Sequence, residues 1–404
     1  MKTAHKTPAF PRITRREGLL TMLAGALTLA GCGGGGGGGV AGVGGGGTGS
    51  LSVGPISGIG SIIVNGVRFD DSIARVLDED GGSHDRSELK LGMMVRVKGK
   101  AVSRTADTAS ADADEISFSS TLLGPIDSID TTVKTLSVLG QKVQITLSTI
   151  FEDNLSLAIL QLSDVVEVHG LVDPGTNTLV ATRIERKLLV NVNAFKLQGT
   201  VSALDSAAKT FKIGTLIINY AATADVPANL ANGLLVRVRI ATTPTTGTRT
   251  ALRVRAVIAE SEDHDEAELE GTITDFTSSS KFSVNGLLVD ASGATVPAGL
   301  GLGVRVQIEG SLVRGVLVAK KVKLEDENDQ SKFELHGIVF NRTPTSLTFT
   351  LKSSGGIVAT VTLTSGVKFG AGITLAGLVN GVKLQVKGFA LPDGSIQATS
   401  ISLE

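Results

Sequence analysis

The 404-residue chain holds one cysteine, one tyrosine and no tryptophan. A single thiol excludes an internal disulfide, so whatever folds here must hold itself together by packing. The near-absence of Trp and Tyr removes the exposed rings on which sugars and single-stranded bases usually stack. The thirteen Phe fill part of that gap, but Phe69, Phe211, Phe282 and Phe349 fall at strand positions that suit a core. The five histidines, His5, His84, His169, His264 and His336, are scattered, and no two have metal-ligand spacing. His169 and His336 are expected at strand ends, partly exposed. There is no Gly-x-Ser-x-Gly elbow, no phosphate-binding Gly-Lys-Ser/Thr loop and no His-Glu-x-x-His. The formal charge of −1 gives no overall field to attract nucleic acid. These absences predict no catalytic residues, no metal site, no cofactor and no nucleic-acid partner.

What the chain has instead is self-similarity. A Gly opens an apolar-alternating run at Gly58, Gly124, Gly199, Gly271 and Gly337, spaced by 66, 75, 72 and 66 residues. A second pattern follows each time, apolar-x-x-Gly-x-x-Val-x-Val-x-Gly in outline: Leu91 to Gly99, Leu162 to Gly170, Asn232 to Arg239, Leu302 to Gly310, and Asn380 to Gly388. The second copy has Ser163 in place of Gly, and the third lacks the closing Gly. Recurrence at a fixed period marks a repeat architecture.

Inside the repeat the period is two. Val95 and Val97 alternate with Arg96 and Lys98, and Val236 and Val238 with Arg237 and Arg239. Such alternation of β-branched residues predicts half-buried strands. Asn65-Gly66 and Asn285-Gly286, each between apolar runs, predict type I′ hairpins. About five short strands fall in each unit. That number predicts an all-β chain of five tandem small antiparallel β-barrels of the OB type, or compact sandwiches, because closure removes unpaired edges. Asn154 to Leu162 is the best candidate for a short helix. The expected divisions are repeats at 51–120, 121–190, 195–259, 269–325 and 333–404, with an acidic linker at 260–268.

The pattern resembles a family of small repeated β-domains in bacterial lipoproteins, known as domain of unknown function 5666. The likeness rests on the Gly-x-Ile/Val opening, the Val-Asn-Gly hairpin, the Gly-x-x-Val-x-Val-x-Gly strand and the Ala-x-x-Ile ending, over nearly all of 51–404. It implies a fold and a setting and assigns no catalytic residues.

The N-terminus carries an address. Lys2, Lys6, Arg12, Arg15 and Arg16 precede the apolar run Leu19–Ala30, which is too short to span a membrane and reads as a secretory signal over 1–31. Arg15-Arg16 leaves open the choice between the general and twin-arginine export routes. Leu29-Ala30-Gly31-Cys32 resembles the lipobox of bacterial lipoproteins, which implies that Cys32 is lipidated and becomes the new N-terminus. Several acyl chains anchor stably where one is marginal. The residue after Cys32 is Gly33 and not Asp, a pattern that resembles lipoproteins sent to the outer membrane of Gram-negative bacteria. Residues 32–50 form a Gly-rich tether with an end-to-end distance of roughly 23 Å.

Charge is uneven. Repeat three holds Lys196, Lys209, Lys212, Arg237, Arg239, Arg249, Arg253 and Arg255 against Asp205 and Asp225. The i, i+2 pairs Arg237/Arg239 and Arg253/Arg255 each project from one strand face and form a candidate site for an anionic ligand. The segment from Glu260 to Glu268 has six acids and no Lys or Arg. Two readings of it stand: a solvated linker, or a mask lying over the basic face. The acid-rich stretch Asp78 to Asp85 is expected to be a solvated turn, since it lacks the ligand spacing of a calcium loop. The function expected is a non-catalytic binding or structural module, lipid-anchored at the cell envelope, whose partners are the membrane, through Cys32, and either an anionic envelope polymer or another envelope protein. Two alternatives remain, a binder of anionic envelope polysaccharide or lipopolysaccharide through repeat three, and an enzyme with a site between repeats.

Overall fold

A computed structural model describes residues 49–404 apart from 107, 224, 244–246, 258–261 and 327–331. The signal segment, Cys32 and the tether up to residue 48 lie outside the described residues. Ser50, expected in the tether, already belongs to the first strand, Ser50–Ile59.

The chain is all-β. Its described helical turns are the 3-10 segments Arg86–Glu88, Leu189–Asn191 and Leu375–Gly377. Asn154 to Leu162, the expected helix, forms turns. The hairpins at Asn65-Gly66 and Asn285-Gly286 are as the dipeptides require. Both central residues take positive φ, 54° and 79° in the first and 50° and 82° in the second, and Val64 pairs with Val67 and Val284 with Leu287.

One pairing ring recurs. In repeat four, His264–Ser278 pairs with Lys281–Val284, which pairs with Leu287–Asp290. That strand runs parallel to Val316–Leu324, which pairs with Arg305–Val313, which returns to the first strand. The same order closes the strands of repeat two and repeat five. The rings are therefore closed barrels, but not wholly antiparallel as expected. Strand directions alternate around a ring only if the strand number is even. Five strands force one parallel pair, and each barrel places it between its third and last strands.

The two glycine signatures have separate duties. The inner position is a tight turn at positive φ in all five copies: Gly92 at 79°, Ser163 at 71°, Gly233 at 88°, Gly303 at 82° and Gly381 at 94°. From there the N–H donates back to the opening strand, as Gly303 does to Ile273 O and Ser163 to Ile126 O, both at 2.9 Å. The closing Gly sits at a register shift. Gly310 follows the shift from Glu309, and a Cβ there would run into the Val318 carbonyl. Repeat three makes the same shift between Arg239 and Ile240 without a glycine.

Burial follows the alternation. The strand Leu235–Ile240 buries Val236, Val238 and Ile240 and leaves Leu235, Arg237 and Arg239 partly exposed. Phe69, Phe211, Phe282 and Phe349 are among the most deeply buried side chains, as expected. Each such burial contributes roughly 2–3 kcal/mol.

The repeats are bonded to one another. Ser50–Ile59 runs parallel to the first strand of repeat four, from Ser50 opposite Glu266 to Val53 opposite Leu269. Further along it runs parallel to Lys332–Phe340 of repeat five. One core spans repeats one and five, a second spans repeats two and three, and repeat four packs with Leu51. Thr182 and Arg183 of repeat two donate to the Gly92 and Leu91 carbonyls of repeat one, at 2.7 and 3.1 Å. Cores of about seventy residues are small, and shared strands and shared cores enlarge them.

Candidate functional site

The two arginine pairs of repeat three meet in register. Leu235–Ile240 and Arg249–Ala256 are antiparallel neighbours, with Arg237 opposite Arg255 and Arg239 opposite Arg253. Phe195–Thr200 lies on the other side and brings Lys196 opposite Arg239 and Gln198 opposite Arg237. Valines on the inward phase force all these polar groups onto one outer face. Cross-strand neighbours lie about 5 Å apart, so like charges set directly opposite destabilise the sheet unless anions intervene.

The anions come from repeat one. Asp80 reaches Arg239 Nη2 with Oδ2 at 2.5 Å and Arg253 Nη1 with Oδ1 at 2.6 Å, while Arg255 Nη1 lies 3.8 Å away. Glu79, its side chain 4% exposed, pairs with Lys196 and lies 3.9 Å from Arg239. Asp225 of repeat three bonds Arg253 Nε at 3.1 Å and Arg255 Nε at 3.3 Å. Among the described residues no carboxylate bonds Arg237, whose Nη2 donates to Gln198 Oε1 at 3.2 Å. Burial pushes its guanidinium below the ordinary range, with Glu79 opposing. On this face five cations, Lys196 included, thus meet three carboxylates, a formal excess of two positive charges among these eight groups.

Two expectations are corrected here. The stretch from Asp78 to Asp85 is docked on repeat three through Glu79 and Asp80, although Gly81 to Ser83 and Asp85 are exposed as expected of a solvated turn. The acidic segment 260–268 is neither a loose linker nor a mask over the arginines. From His264 onward it is strand, and three of its acids meet repeat one: Glu262 bonds Lys98 at 2.7 Å, Glu266 accepts from the Val102 N–H at 2.6 Å, and Glu268 pairs with Arg104. A strand entering the ring of repeat four cannot also lie across repeat three. Glu260 and Ser261 lie outside the described residues.

The turn is internally braced. The Asp78 carboxylate accepts from the Asp80 and Gly82 N–H groups at 2.9 and 2.7 Å. Its second oxygen lies 3.3 Å from His84 Nε2, and His84 Nδ1 meets Glu88 Oε2 at 2.8 Å. The Glu88 hydrogen bond, helped by Asp78, raises the affinity of His84 for its proton against a smaller opposing effect of burial. Burial raises the Asp78 pKa, but the backbone donors and His84 outweigh it and hold the carboxyl below its ordinary value.

The arginine face forms part of the wall of a cavity of about 890 Å³ between repeats one to four. Asp78, Glu79 and Asp80 line it on one side, Arg237, Arg239, Arg253 and Arg255 on another, and Leu197, Leu269 and Leu287 supply apolar wall. A volume of this order holds a small ligand or the end of a chain.

The histidines are not at exposed strand ends. His169, His264 and His336 are 1%, 4% and 5% exposed, because they lie in strands that the neighbouring repeats cover. His336 meets Glu334 Oε1 at 2.8 Å and the Arg68 guanidinium of repeat one at 3.3 Å. The His336 hydrogen bond, against burial, holds Glu334 at about 2. His169 Nδ1 lies 3.3 Å from the Met94 amide of repeat one, and burial lowers its pKa. Both residues are seam fittings between repeats. No single repeat announces them.

Three segments of the chain, 124–185, 270–323 and 336–402, match the family model described as Domain of unknown function (DUF5666). They fall in repeats two, four and five; the resemblance expected over nearly all of 51–404 is thus matched in these segments, including repeat two despite Ser163. No curated protein matches the chain. The solved structure of drosophila Unr CSD456 is matched over 56% of this chain and 100% of its own, at 14% identity and a TM-score of 0.15, a likeness that carries no argument.

Proposed function

We propose that this chain, three segments of which match the DUF5666 model, is a non-catalytic binding protein of the cell envelope. It is held to the outer membrane of a Gram-negative cell through lipid on Cys32, and captures an anionic ligand on Arg237, Arg239, Arg253 and Arg255. The observation that carries this reading is the cationic grid set in a cavity wall with two charges left over. Guanidinium forks match carboxylate and phosphate oxygens in pairs. Glu79, Asp80 and Asp225 offset part of the cost of setting like charges opposite one another, and a binding role accounts for the cations in excess of them. The acidic turn narrows access, which favours a compact anionic group or the charged end of a polysaccharide or lipopolysaccharide over the middle of a long polymer.

The test is binding of the full chain to lipopolysaccharide and to acidic polysaccharides at low and high salt. Binding is expected to weaken with salt and to be lost when Arg237, Arg239, Arg253 and Arg255 are all replaced by Gln. Binding that survives those four replacements sinks the assignment of the site. Failure to bind any of these ligands turns the reading toward a protein partner or a spacer.

A further inference from the structure

We propose, resting on the anion-binding reading above, that the turn from Asp78 to Gly82 is a built-in occupant of the arginine site, and that the ligand which replaces it carries two phosphoryl groups. The contacts that dock the turn tip on repeat three are side-chain ion pairs from Glu79 and Asp80. Among the described residues no backbone hydrogen bond ties 78–82 to repeat three. The backbone bonds of the turn are its own, Asp78 N–H to Gly82 O at 2.9 Å and Gly81 N–H to Asp78 O at 3.1 Å. Its stem is short, pairing Val76 with His84 and Leu77 with Ser83. The Asp80 pairs are partly exposed, hence weak and screened by salt, while the Glu79–Lys196 pair is buried and is the contact that a replacing ligand must match with charge of its own.

What Asp80 does as an occupant shows what a better one would need. A carboxylate has two oxygens. Asp80 spends one on Arg239 and one on Arg253, and leaves Arg255 at 3.8 Å. Among the described residues Arg237 is met by Gln198. A phosphoryl group brings three acceptor oxygens and a charge of about −1.5 to −2 near neutral pH. With the turn withdrawn, five cations face Asp225 alone among the described residues, so four positive charges stand open. Two carboxylates would neutralise half of them. Two phosphoryl groups neutralise nearly all, one taking the place of Asp80 and one that of Glu79 beside Lys196.

The experiment is calorimetric titration of the full chain with inorganic pyrophosphate and, separately, with malonate. Pyrophosphate is expected to bind at least about tenfold more tightly than malonate. The double variant E79Q/D80N is expected to bind pyrophosphate roughly tenfold more tightly than the natural chain, since an occupant docked in nine molecules of ten divides apparent affinity by ten. Equal affinity of the variant and the natural chain, or malonate binding as well as pyrophosphate, overturns the proposal. A second measurement needs no variant: hydrogen exchange across 76–84 in the natural chain is expected to speed up with pyrophosphate, and slower or unchanged exchange overturns it too. The two readings fail separately. If acidic polysaccharide binds through the four arginines while pyrophosphate does none of this, the anion site stands and the two-phosphoryl ligand does not.

Discussion

The inner turn of the repeat yields a stability prediction that isolates one backbone angle. Ser163 sits at φ 71°, where the other four copies carry Gly. Its residue is exposed, and its N–H serves the barrel by donating to Ile126 O at 2.9 Å. A left-handed conformation costs a non-glycine residue about 1–2 kcal/mol. Glycine would relieve that cost but would lose about 0.5–1 kcal/mol through the greater freedom of its unfolded chain. The balance for Ser163→Gly is a gain of roughly 0.5–1 kcal/mol. The reverse change is available in repeat five. Gly381 lies at φ 94° with open space where a Cβ would go, so Gly381→Ser meets no clash and by the same balance should lose roughly 0.5–1 kcal/mol. Repeats two and three share one core and should unfold together. A gain of this size then raises their melting temperature by about 2–3 °C. Differential scanning calorimetry and urea titration of the full chain read both variants. A Ser163→Gly chain that melts at or below the natural temperature, or a Gly381→Ser chain as stable as the natural one, would refute the assignment of the turn's cost to φ.

Other expectations concern the anchor, the seams and the core. Replacing Cys32 by Ser should move the protein from the membrane fraction to the soluble fraction and remove the acyl mass from its N-terminal peptide. Burial lowers the pKa of His169, so the unfolded chain takes up a proton that the folded chain refuses. That residue therefore costs nothing above the unfolded value near 6.5, and removes up to about 1.4 kcal/mol per pH unit below it. A His169→Gln chain should lose less stability than the natural one between pH 6.5 and 5 in urea titrations, and an identical loss in both would count against the buried neutral imidazole. Phe282→Ala, in the core of repeat four, should cost about 3–5 kcal/mol, seen as early melting of that repeat in hydrogen exchange.

Much of this molecule is local and therefore legible in the chain itself. Alternation at Val236 and Val238 sets which side of a strand is wet. Asn65-Gly66 and Asn285-Gly286 specify hairpins because few residue pairs accept two successive positive φ angles. The period of about seventy residues matches the one closed barrel of each of repeats two, four and five, and the phase of Arg237, Arg239, Arg253 and Arg255 puts them on one face. What opposes that face was not legible. Asp80 and Arg253 are 173 residues apart, and Arg104 and Glu268 are 164 apart. Nothing in the composition of the acidic stretches at 78–85 and 260–268 says which of them meets the arginines. That choice follows from how repeat one docks, through Ser50–Ile59, against repeats four and five. The burial of His169 and His336 has the same origin. The sequence determined the strands, the turns and the grid of like charges, because each depends on neighbours within a few residues or one hairpin. Only the tertiary structure decided the anions that meet the grid, the cavity it faces and the parallel strand that closes each ring, because these depend on packing between distant parts of the chain.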